Sequence, residues 1–111
     1  MKIAISSAGN DLDSQIDPRF GRALFFIIVD SETMTFEVID NSKNMNAPGG
    51  AGIQTAQNII DKGVQVIITG NLGPNALKIL QTSDIKLITG ISGTIRKAVE
   101  DFKNQKLSLS E

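Results

Sequence analysis

A chain of 111 residues fits one domain, and 41% hydrophobic with 21% charged residues is the balance of an ordinary globular protein. Eleven basic side chains against twelve acidic ones leave a net charge of −1, which argues against a nucleic-acid or membrane-surface partner held by bulk charge. Cysteine and histidine are absent, which excludes disulfides, zinc fingers, ordinary iron–sulfur ligation and the Cys–His and Ser–His nucleophile pairs.

The opening run "MKIAISSAGN" is far too short for the core of a signal peptide, and nothing approaches the roughly 18 apolar residues of a membrane span, so a cytoplasmic setting is expected. "KIAISSA" (2–8) reads as a strand, with Ile3 and Ile5 alternating with Ala4 and Ser6. Residues 9–22 hold Gly9, Pro18 and Gly21 among polar residues and read as a loop. "ALFFIIVD" (23–30) is almost unbroken apolar sequence, as in a strand buried on both faces. "SETM" (31–34) is short enough for a hairpin turn into "TFEVIDN" (35–41), with Phe36 and Val38 on one face and Glu37 on the other.

A second loop, 42–52, leads into a helix of about ten residues in which Ile53, Ala56, Gln57 and Ile60 recur at helical spacing and Gly63 lies just past the end. "VQVIIT" (64–69) is the next strand. Pro74 suits a first helical turn, and Ala76, Leu77 and Leu80 give the helix after it an apolar stripe. "KLIT" (86–89) reads as the last strand, and Ile95, Ala98, Val99 and Phe102 mark an amphipathic helix. The domain is expected over 1–104, with 105–111 as a frayed tail.

The order β-β-β-α-β-α-β-α predicts an α/β fold: a three-layer sandwich with a five-stranded mixed sheet and helices on both faces. If the second strand runs antiparallel, the other four point one way and share a rim at their carboxyl ends. "SSAGN" (6–10), "NAPGGAG" (46–52), "GNLG" (70–73) and "GISG" (90–93) fall on that rim, with the amino ends of three helices. "ITGNLG" (68–73) and "ITGISG" (88–93) repeat one strand-to-helix turn. Helix starts carry unpaired N–H donors and partial positive charge, and glycines let a ligand approach them. Loop 9–22 adds Arg19 and Arg22. The expected site is therefore an anion pocket built from Ser7, Arg19, Arg22, Gly49, Gly50, Gly52, Gly70, Asn71, Gly73, Gly90 and Gly93. The competing reading keeps those glycines as turn and packing residues.

Specific nucleotide motifs fail. "GAGIQT" (50–55) has Thr55 where the dinucleotide fingerprint needs glycine, and no Gly-Lys-Ser/Thr occurs. The element order resembles the ribonuclease H-like fold, but a two-metal nuclease needs convergent carboxylates and the first strand has none. Asp30 and Asp40 fall at opposite ends of the sheet. Asp11, Asp13 and Asp17 read as a solvated cluster, Met45 as a loop residue, and Ser6 and Ser7 as hydrogen-bonding residues lacking a base.

The ordered series "FGR" (20–22), "GGAG" (49–52), "GVQVIITGNLGPNA" (63–76) and "GISGT" (90–94) resembles the dinitrogenase iron–molybdenum cofactor biosynthesis family over roughly residues 1–104. The resemblance implies the ribonuclease H-like fold and non-covalent holding or transfer of an anionic iron–sulfur cluster or cofactor precursor, with cofactor-assembly proteins as partners. It points to turns 49–52 and 70–73 and to the "FGR" segment. Family members that handle the cofactor often carry histidine or cysteine near the glycine-rich turn, and "NSKNMNAPGG" (41–50) has neither. The expected protein is a binder or carrier rather than an enzyme. A binder or enzyme for a phosphorylated metabolite or nucleotide, and a protein interaction module, are the alternatives.

Overall fold

The structure is a computed structural model that describes residues 1–45 and 51–104. Gly49, Gly50 and the tail 105–111 lie outside the described residues, as does the side chain of Met45. The elements in chain order are β1 (Lys2–Ser7), β2 (Phe25–Asp30), β3 (Phe36–Asp40), α1 (Ser42–Met45), α2 (Ala51–Asp61), β4 (Val66–Ile68), α3 (Pro74–Gln81), β5 (Lys86–Ile88) and α4 (Ile95–Lys103). The expected order holds, with α1 an added short turn of helix in what the sequence marks as loop.

One five-stranded sheet runs β3-β2-β1-β4-β5. β2 is antiparallel to both β1 and β3, while β1–β4 and β4–β5 are parallel, so β1, β3, β4 and β5 all point one way. The strand period of two divides the core between two faces. Ile3, Ile5, Ile27, Val29, Val66 and Ile68 face α4 through Ile95, Ala98 and Val99. Ala4, Phe26, Ile28 and Ile67 face α2 and α3 through Ala56, Ile59, Ala76 and Leu80. This is the expected sandwich of three layers. Among the described residues no helix is long and apolar enough to cross a membrane.

Two local expectations, the start of β2 and the buried stripe of α2, are corrected, and one is given its place in the sheet. β2 begins at Phe25, not residue 23, and Leu24 is exposed just ahead of it. Phe36 and Val38 do share a face, but both are exposed, because β3 is the sheet edge. The buried stripe of α2 is Thr55, Ala56 and Ile59 rather than one through Ile53 and Gln57, and Ile53 is exposed. Ala56, common to both stripes, is fully buried, and Ile60 packs at the edge of the core.

Loop 9–22 lacks regular structure but is firmly fastened. Phe20 is buried and meets Phe26 edge to face, with ring centroids 5.1 Å apart. Isolated bridges join Ser7 to Ile16, Gln15 to Thr94 and Arg19 to Asn71. Gly63 ends α2 at a φ of +72°, donating its N–H to Ile60 O, as its position past the helix predicts.

Candidate functional site

The carboxyl ends of β1, β3, β4 and β5 form one rim, and the starts of α2, α3 and α4 follow from it. These three starts are not equivalent. α4 is closed: Ile95 N donates to Ser14 O at 3.0 Å, Arg96 N to Leu12 O at 2.8 Å, and Lys97 N to the Thr94 hydroxyl at 3.2 Å. Loop 11–16 therefore takes the donors that a free helix start would offer. Of the three helix starts expected to be open on the rim, that of α4 thus has its donors occupied within the chain.

α3 is different. Its N-cap is Gly73, which has no side chain to cap with, and Pro74 occupies the first helical position. Among the described residues nothing accepts from Asn75 N or Ala76 N. α2 starts beside it: a Cβ added to Gly52 would lie 3.4 Å from the Cβ of Ala76. Neither first turn contains an acidic residue. Two helix starts thus point their partial positive charge toward neighbouring space with no carboxylate in either turn to cancel it.

Other expected site residues have structural work in the fold. Gly70 is buried beneath loop 9–22, and a Cβ there would come within 2.6 Å of Pro18 Cα. Asn71 N donates to Pro18 O at 2.7 Å, and Asn71 O accepts from Phe20 N. Gly90 has a φ of +76° and donates its N–H to Gly70 O; Gly93 has a φ of +101° and accepts from Ile16 N through its carbonyl. Ser7 is buried and its hydroxyl donates to Gly9 O at 2.7 Å. Gly73 has open space where a side chain would be.

The two arginines also differ. Arg19 folds back on Asp17, with Nε 3.2 Å from Oδ1 and Nη2 3.3 Å from Oδ2. Its hydrogen bond to Asp17 raises the guanidinium pKa further above its ordinary value, and much of its charge is answered locally. Arg22 is exposed between the buried Phe20 and Ala23, so its backbone is held close to the core while the side chain reaches solvent.

The three loop carboxylates do not converge. Asp11 Oδ1 accepts from Asp13 N and from the Ser14 hydroxyl, Asp13 pairs with Arg96, and Asp17 with Arg19. Among the described residues no group of three or more acidic side chains could hold a metal ion. A hollow bordered by Met1, Ile60, Val64 and Asp84 lies at the opposite end of the sheet from the rim.

The sequence reading missed Asn41. It is 4% exposed and joins the segment before β2 to α1 and α2. An Asn directly after a strand and ahead of a helix was the available signal.

A sequence profile described as dinitrogenase iron–molybdenum cofactor matches residues 1–105. The chain belongs to the dinitrogenase iron–molybdenum cofactor family. The fold is similar to the apo form of the orange protein from Desulfovibrio gigas, with a TM-score of 0.94 and 38% identity, covering 98% of this chain and 92% of that one. It is also similar to a NifB-type protein from Thermotoga, with a TM-score of 0.83 and 34% identity over 97% of this chain and 91% of that one. An uncharacterised protein of Methanocaldococcus jannaschii is 31% identical over 114 residues, 100% of this chain and 92% of the relative.

Proposed function

We propose that this member of the family is a small carrier, not an enzyme, that holds an anionic iron–sulfur metallocluster or cofactor precursor at the rim and passes it to cofactor-assembly proteins in a reducing cytoplasm. The observation that carries the reading is the pairing of two helix starts. α2 and α3 meet at Gly52 and Ala76, with no acidic residue in either first turn, and Arg22 stands on the loop of the same rim. Backbone amides and a guanidinium hold anions by charge-assisted hydrogen bonds. Family membership supports the class of cargo, and similarity to a protein known in an apo form supports a removable ligand.

The chain's own chemistry narrows the cargo. It has no cysteine or histidine, so it supplies neither thiolate nor imidazole to iron. The cargo must then arrive coordinatively complete, with its own sulfide or thiolate ligands, and be held through its outer surface. Release then requires only that hydrogen bonds and ion pairs be exchanged, with no metal–protein bond to break.

Anaerobic incubation with a synthetic thiolate-capped [4Fe–4S] cluster, followed by gel filtration and iron analysis, tests this. Iron should co-elute with the protein; elution at the background of an unrelated protein of similar charge overturns the reading. A thermal-shift series with inorganic phosphate, sugar phosphates and nucleotides tests the alternative of a phosphorylated ligand, which would raise the midpoint through linkage.

A further inference from the structure

Asn41 spends its whole side chain on other parts of the rim. Nδ2 lies 2.8 Å from Ala23 O and 3.3 Å from Gly21 O; Oδ1 lies 3.1 Å from both Asn44 Nδ2 and Thr55 Oγ1. Its backbone N–H donates to Leu24 O at 2.9 Å, and its carbonyl accepts from Asn44 N. The amide has one sensible orientation. Two carbonyls can only accept, so the nitrogen must face Gly21 and Ala23, which leaves the oxygen to receive the Asn44 and Thr55 donors.

The two carbonyls gripped by Nδ2 belong to the residues on either side of Arg22. The hydroxyl on Oδ1 belongs to α2, one turn past its start. We propose that Asn41 is a positioning residue: it registers the Arg22 backbone against the first turns of α2, so that guanidinium and helix start address one anion together. The inference rests on the carrier reading above and deepens it. The residue type follows from the geometry. The bracket needs two donors and one doubly accepting oxygen at the end of a short stem, buried in one place. Asp would turn a carboxylate oxygen toward two carbonyls; Ser has too few hydrogen-bonding groups; Gln adds a methylene that the 4% exposed site does not accommodate.

The test separates positioning from simple stabilisation. Asn41→Asp preserves shape and the bonds from Asn44 and Thr55 but destroys the grip on Gly21 and Ala23. In the protein without ligand, amide hydrogen exchange at Arg22 and Ala23 should rise at least about tenfold relative to exchange in the core strand β1. Unchanged exchange overturns the proposal. With the thiolate-capped [4Fe–4S] cluster as probe, Asn41→Asp should weaken binding by the folded protein about tenfold. In an Arg22→Ala background the same change should weaken it less than about twofold, because the bracket acts through Arg22. Equal effects in both backgrounds, or a lowered melting midpoint with unaltered affinity of the folded protein, show a structural residue and overturn it. Should Asn41→Asp not fold, Thr55→Val severs the α2 arm alone and is held to the same cycle. If the wild-type protein fails to retain the cluster, the carrier reading falls, and the exchange measurement still decides whether Asn41 fixes Arg22.

Discussion

The hydroxyls of Ser6 and Thr69 lie 2.7 Å apart with both residues fully buried, where β1 and β4 reach the rim. Ser6 Oγ also lies 2.7 Å from Asp17 O, which can only accept, so the Ser6 proton goes to that carbonyl and Thr69 donates to Ser6. Asp17 N returns a bond to Ser6 O at 2.9 Å. This small polar chain ties loop 9–22 to the sheet inside an otherwise apolar core.

The proton order makes the two hydroxyls unequal. Ser6→Ala leaves the Asp17 carbonyl and the Thr69 hydroxyl both without their partner and should cost about 2–3 kcal/mol. Thr69→Val keeps the Ser6–Asp17 bond and should cost about 1 kcal/mol or less. Urea denaturation of the two variants checks the ranking, and a larger loss for Thr69→Val would count against it.

The glycines of the rim separate by the same kind of argument. At Gly70 an added methyl meets Pro18 Cα at 2.6 Å and Pro18 O at 2.8 Å, backbone atoms that cannot step aside. Gly70→Ala should cost about 1–3 kcal/mol and loosen loop 9–22. At Gly73 the backbone is extended, with φ −71° and ψ 162°, and the space is open, so Gly73→Ala should cost less than about 1 kcal/mol. Its methyl would stand at the start of α3, where it should obstruct a ligand. Denaturation and cluster retention measured on both variants should therefore give opposite patterns.

The sheet and its helices were legible because hydrophobic period is a strong local signal. The run 25–30 and the spacing of Ile95, Ala98 and Val99 each dictate one way of burying apolar surface. The convergence of strand ends followed from a single antiparallel strand. What was not legible depends on which donors are already spent. "GISG" and "GNLG" look alike in sequence, yet the turn ahead of α4 is closed by Ser14 and Leu12 carbonyls from a loop some 80 residues earlier in the chain, while Gly73 stays open. Arg19 likewise reads as a free cation until Asp17 is seen beside its guanidinium. Backbone pairing of irregular loops leaves no periodic trace, and side-chain identity alone does not reveal it.

Acid should destabilise the fold partly through the exposed Asp40 and the half-buried Asp30. The Ser42 hydroxyl and then its amide hold Asp40 below the ordinary carboxylate value, and the Glu32 amide does the same for Asp30. A lowered folded pKa means that the stabilisation is complete above the unfolded value, about 3.9, and is lost as pH falls through the folded one. Asp40→Asn should flatten the loss of stability below about pH 4 and, across pH 6–8, be less stable than wild type by an amount that does not change with pH. Lys97 has the opposite sign: its hydrogen bond to Asp101 raises its pKa, so that contribution is lost only as pH rises beyond the ordinary lysine value. Urea midpoints across the pH range check both limbs, and identical acid limbs for wild type and Asp40→Asn would count against the assignment.

The closure of α4 gives the sharpest contrast within the rim. Thr94 caps that helix by accepting from Lys97 N, so Thr94→Ala should cost about 1 kcal/mol of stability. The neighbouring donors of Ile95 and Arg96 are already spent on Ser14 and Leu12, leaving this helix start nothing to offer an anion. Thr94→Ala should therefore lower the melting midpoint while the folded protein retains the [4Fe–4S] probe as wild type does. Arg22→Ala should act on the probe instead, with retention by the folded protein reduced about tenfold or more. Were Thr94→Ala to release the probe without unfolding, α4 would have to contribute to the site despite its spent donors, and the restriction of the rim to α2, α3 and Arg22 would be wrong.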